Sequence, residues 1–137
     1  MTRTAKLTLL TMLIIQAGCR ENKQTYDAGC SNHPTHFGTA KDGIGHLLPY
    51  VRVEVDASGG IKWAGTAISE DQLQSFARAA NSLDTVPQLI VDPAPLAPCE
   101  RVKRVRAILL ASPICQRGHF ACSEGRDPKN WPVVGGP

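Results

Sequence analysis

Val51-Arg52-Val53-Glu54-Val55-Asp56 is followed by Ala57-Ser58-Gly59-Gly60 and then by Ile61-Lys62-Trp63. Valine at every second position, with charged residues between, is the pattern of a strand that buries one face. The paired glycines supply the positive φ that a tight turn needs. Ile61-Lys62-Trp63 alternates again, so the stretch predicts a β-hairpin. Downstream, Ser69 and Gln72 have the spacing of a capping box, and Ile68 and Leu73 occupy the positions of a hydrophobic staple. Glu70 and Asp71 complement the dipole at a helix start. Leu73, Phe76, Ala77 and Ala80 then mark one apolar face, and Asn81 is the stop.

Pro87 precedes Leu89-Ile90-Val91, an apolar run suited to a buried strand. Asp92-Pro93-Ala94-Pro95-Leu96-Ala97-Pro98 breaks it, and Pro98 suits the first turn of a second helix. Val102, Val105, Ile108 and Leu109 form the apolar face of that helix, and Pro113 ends it. His119-Phe120-Ala121-Cys122 is the last strand candidate. The predicted order is β-β-α-β-α-β, an α+β two-layer sandwich with two helices on one face of a four-stranded sheet. It occupies residues 48–123.

The flanks read differently. Arg3 and Lys6 precede the uncharged run Leu7–Ile15, which gives way to Gln16-Ala17-Gly18-Cys19. This is the basic, apolar and small-residue order of a secretory leader, and the run is shorter than the roughly 20 residues of a membrane span. Ala-Gly-Cys resembles a bacterial lipobox, with Gln16 where leucine is usual. Residues 1–18 are therefore expected to be a lipoprotein signal peptide, and Cys19 the acylated residue. An ordinary cleaved leader and an uncleaved anchor are the alternatives. Several acyl chains on one residue anchor a protein stably. The expected location is the periplasm-facing bacterial envelope, and Arg20 after the cysteine favours the outer membrane. Residues 19–47, rich in Asn, Thr, Gly and His, are expected to be a flexible tether, and 124–137, ending Gly-Gly-Pro, a disordered tail.

The 137 residues suffice for one domain. Hydrophobic residues at 42% and charged residues at 20% describe a globular chain rather than a disordered one. Loss of Arg3 and Lys6 leaves 13 basic against 12 acidic groups, so no nucleic-acid partner is implied. Apart from Cys19, four cysteines remain: Cys30, Cys99, Cys115 and Cys122. In an oxidising compartment they read as two disulfides, with three pairings open.

Catalytic signatures are missing: there is no Gly-x-Ser-x-Gly elbow, no His-Glu-x-x-His and no phosphate loop. Ser69 reads as a cap. Asp92 stands at a strand end, where an enzyme could place an acid. His119 reads as a core or edge residue. No enzyme and no cofactor are expected. Cys30, His33 and His36 bring metal-ligand types together, but a structural site needs four ligands, so they read as solvated tether. Metal handling by these three is an alternative function. Arg101, Lys103, Arg104 and Arg106 read as a solvated helix face, with contact to anionic headgroups the alternative.

Val53, Val55, Asp56, Gly60, Ile61, Gly65, Ser69, Glu70, Leu73, Pro87, Val91, Asp92 and the Val102/Val105 pair resemble, in pattern and spacing, the periplasmic domain of the ExbD/TolR biopolymer-transport family. The resemblance covers about half the chain and includes no catalytic signature. It implies an extracytoplasmic module that forms a homodimer or binds an envelope protein or peptidoglycan, and it makes Asp92 the organiser of the turn after its strand. The family's transmembrane helix with its proton-relaying aspartate has no counterpart, because no acidic residue precedes Glu21. A disulfide-stabilised lipoprotein of another kind, an inhibitor or assembly factor, is the other reading. On the fold implied by the resemblance, Cys122 at the end of the last strand approaches Cys99 at the start of the second helix. Cys30 then pairs with Cys115. A local Cys115–Cys122 loop is the competing arrangement.

Overall fold

The valine alternation forms the middle of a sheet. A computed structural model describes residues 24–118 and 121–135. In chain order the strands and helices are β1 (Ile44–Gly45), β2 (Tyr50–Val55), β3 (Ile61–Trp63), β4 (Thr66–Ile68), α1 (Glu70–Asn81), β5 (Gln88–Pro93), α2 (Cys99–Leu110), β6 (Cys122–Glu124) and β7 (Val133–Val134). Short helical turns cover Tyr26–Cys30, Pro113–Gln116 and Pro128–Asn130. No helix among the described residues is long and apolar enough to cross a membrane.

β2 and β3 pair as the expected hairpin, with Val53 opposite Trp63 and Val55 opposite Ile61. In the turn, Asp56 Oδ1 accepts from the Ser58 and Gly60 amides at 3.0 and 2.8 Å. Gly59 there has φ +85°, which a side chain would resist. The main sheet has five strands in the order β4-β3-β2-β5-β6, not four. The added strand, Thr66-Ala67-Ile68, returns antiparallel to β3 across a two-residue turn in which both Ala64 and Gly65 have positive φ. β2, β5 and β6 run parallel.

Val53, Val55, Leu89 and Val91 on one sheet face are fully buried, as are Leu73, Ala77, Val102, Val105 and Leu109 of the two helices. They form one cluster, so both helices cover the same face and the α+β sandwich is as expected. The capping box at the start of α1 is complete: Ser69 Oγ accepts from the Gln72 amide at 3.1 Å, and Gln72 Oε1 accepts from the Ser69 amide at 2.9 Å. These bonds satisfy two N–H groups that the first turn leaves without helical partners.

Three further expectations need correction. Residues 24–47 are not a free tether. The Tyr26, Asp27 and Cys99 amides bond to Ala97, Pro95 and Gln24 carbonyls, which lays this segment along the 94–98 loop. Tyr26, Cys30 and Phe37 are buried. The described part of 124–137 is ordered too. β7 pairs parallel with β1, and Trp131 packs with Ile44 and Ile90 on the sheet face away from the helices. That tryptophan passes close enough to Gly125 that a Cβ there would lie 2.8 Å from its ring.

The third correction is the disulfide pairing. Cys30 is joined to Cys99 and Cys115 to Cys122, with Cα separations of 5.7 and 5.1 Å. The last strand starts at Cys122 instead of ending there, and Cys122 lies opposite Leu89 near the start of β5. Cys122 is thus at the opposite end of the sheet from Cys99, beside the turn that follows α2. His119 and Phe120, placed in that strand from the sequence, lie outside the described residues, as do the leader and Cys19.

Candidate functional site

Because β2 and β5 are parallel and in register from Tyr50↔Gln88 to Val55↔Pro93, the domain has two ends. The strand-exit end gathers charge. Arg52, Glu54 and Asp92 share the sheet face away from the helices. Arg52 Nε donates to Asp92 Oδ2 at 2.5 Å, and its Nη2 lies 3.3 Å from Glu54 Oε1. Asp92 is 7% exposed. Burial pushes its carboxyl above the usual aspartate range, while Arg52 pulls it down; Asp127 and Glu54 add to the rise. These side chains, with Arg126, line an open cleft of about 360 Å³. Asp92 thus binds an arginine across the sheet, in place of the turn-organising role that the resemblance implies. Two ion pairs of Arg52, with Asp92 and with Glu54, occupy the wall of the cleft.

A second charged group is enclosed between α2, β6 and the N-terminal segment. Arg106 Nε donates to Glu124 Oε2 at 2.9 Å. Its Nη2 donates to Glu124 Oε1 at 2.5 Å and to the Cys30 carbonyl at 2.6 Å. Tyr26 Oη donates to Glu124 Oε1 at 3.0 Å. The Arg106 side chain is 10% exposed and that of Glu124 is fully buried. Burial, reinforced by the Glu124 charge, pushes the Tyr26 phenol up to about 12, so it remains a donor at neutral pH. Arg106 is therefore not part of a solvated face. Arg101 and Arg104 on that helix both clasp Glu70 of α1, and Lys103 is 3.3 Å from Glu100. The sequence did carry a signal for Arg106, since it lies four residues from Val102 and three from Leu109, on the buried side of the helix. Tyr26 and Glu124 had none, because both fall in flanks without periodicity.

The strand-entry end is apolar. Leu47, Leu48, Tyr50 and Leu83 are exposed, from 38% at Tyr50 to 82% at Leu47. Beside them opens a cleft of about 450 Å³ lined by Leu48, Val86, Pro87 and Ala121, with Asp84 and Arg117 also among its walls. The Arg117 guanidinium is fixed by bonds to the Asn81 carbonyl and side chain at 3.3 and 3.1 Å. Large hydrophobics exposed together mark interaction surfaces more often than singly exposed ones do.

Cys30 is held in a disulfide, which removes its thiolate from the Cys30/His33/His36 set; His33 and His36 are exposed. Among the described residues, no three His, Cys, Asp or Glu side chains gather as metal ligands. No family model matches the chain, and no curated protein matches it in sequence.

Proposed function

We propose that this chain is a non-catalytic binding module of the bacterial envelope, exported by its leader, anchored through acylated Cys19 and stabilised by two disulfides. It docks an envelope protein at the strand-entry end. The exposed Leu47, Leu48, Tyr50 and Leu83, with Leu48 lining the 450 Å³ cleft, carry this reading. An apolar patch with a fixed arginine suits a protein surface better than a glycan strand. The two disulfides support an oxidising compartment, where such bonds persist. The residues quoted for the ExbD/TolR resemblance support a partner among transport or envelope-motor components, without proton coupling by this chain.

A photo-crosslinking residue at Leu47 in cells should give one defined protein adduct. Leu83→Asp in the same chain should abolish it, and the same probe at Lys103 on α2 should not form it. Adducts of equal yield at both positions, or peptidoglycan as the sole adduct, would refute the docking assignment.

A further inference from the structure

We infer that the domain rests directly on the bilayer, with its strand-exit end down and the 94–98 loop in the headgroup layer. This rests on the lipidation of Cys19 proposed above. Only Arg20–Lys23 separate that cysteine from Gln24. Fully extended, the five Cα steps from Cys19 to Gln24 reach ~18 Å. A domain of this size is roughly 35 Å across, from the radius of gyration expected for about 100 residues. The anchor therefore cannot lift the domain clear by its own width.

Which side faces down follows from where Gln24 is fastened. Its carbonyl accepts from the Cys99 amide at 2.8 Å, Thr25 bridges to Pro98, and the Tyr26 amide bonds to the Ala97 carbonyl. The chain thus leaves the domain along the 94–98 loop. That loop carries Leu96 between Pro95 and Ala97, 65% exposed, at the level of the strand-exit end. A phospholipid surface held within ~18 Å of Gln24 is the occupant this leucine meets first. The same orientation turns Leu47 and Leu83 away from the membrane, towards a partner in the periplasm.

Tryptophan depth-quenching tests this on the full, membrane-extracted lipidated protein. Leu96→Trp and Leu83→Trp, both at exposed positions, are reconstituted into vesicles of phosphatidylethanolamine and phosphatidylglycerol with brominated acyl chains. The unsubstituted protein supplies the background of Trp63 and Trp131. Interfacial side chains penetrate ~5–10 Å, so quenching of the Leu96→Trp signal should exceed that of Leu83→Trp by about threefold or more. Equal quenching, in protein that floats with the vesicles and carries acyl mass, would overturn the orientation and leave the anchor standing. Protein without acyl mass would overturn the anchor and the orientation with it.

Discussion

Arg106→Met is expected to destabilise the domain by about 3–5 kcal/mol, read as a lowered denaturant midpoint, because it leaves a buried carboxylate without its cation. Glu124 has no solvent to turn to: its side chain is fully buried, and its two oxygens take both guanidinium bonds and the Tyr26 hydroxyl. The same substitution also strips the Cys30 carbonyl of its donor. Replacing Arg106 and Glu124 together with apolar residues should cost less than Arg106→Met alone, since the double change removes the stranded charge. A loss below ~1 kcal/mol for Arg106→Met, the range of exposed ion pairs, would contradict the burial of this network.

The second large effect concerns the bridge between the N-terminal segment and α2. Cys30 and Cys99 are 69 residues apart, and Cys115 and Cys122 only 7. Closing the longer loop restricts the unfolded chain more, so chain entropy assigns about 4 kcal/mol to Cys30–Cys99 and about 2–3 kcal/mol to Cys115–Cys122. Cys30→Ala with Cys99→Ala should therefore lower the unfolding midpoint further than Cys115→Ala with Cys122→Ala, both under non-reducing conditions. The first pair also unpins Tyr26 and Cys30, which pack in the main core. The reverse order would contradict the segment's place in that core.

The central hairpin, α1 and the body of α2 were legible because each has a period and a punctuation: alternate valines and Gly59-Gly60, a capping box, and Pro98 followed by a 3–4 stripe. β4 was not, because Thr66-Ala67-Ile68 is too short to alternate and Ala64 is an unusual residue at positive φ. The flanks misled for a related reason. Their order comes from single long-range anchors, such as Phe37, Trp131 and the Gln88 side chain, which donates to the Gly43 carbonyl at 3.2 Å and to Ser123 Oγ at 3.0 Å. Composition records none of these contacts. The disulfide error followed from the strand assignment: placing the last strand three residues early put Cys122 at the wrong end of the sheet. At the candidate docking end, Leu47, Leu48, Tyr50 and Leu83 stood in plain view in the sequence, but that they stay exposed is decided by the fold and by no period in the sequence.

Intact mass of the protein extracted from native membranes, before and after reduction, bears most directly on the proposed lipid-anchored, twice-bridged module. The expected result is a chain that begins at Cys19, carries acyl mass, and gains two hydrogens for each of its two disulfides on reduction. A chain that begins at Met1, without acyl mass and unchanged by reduction, would contradict both the anchor and the oxidised core.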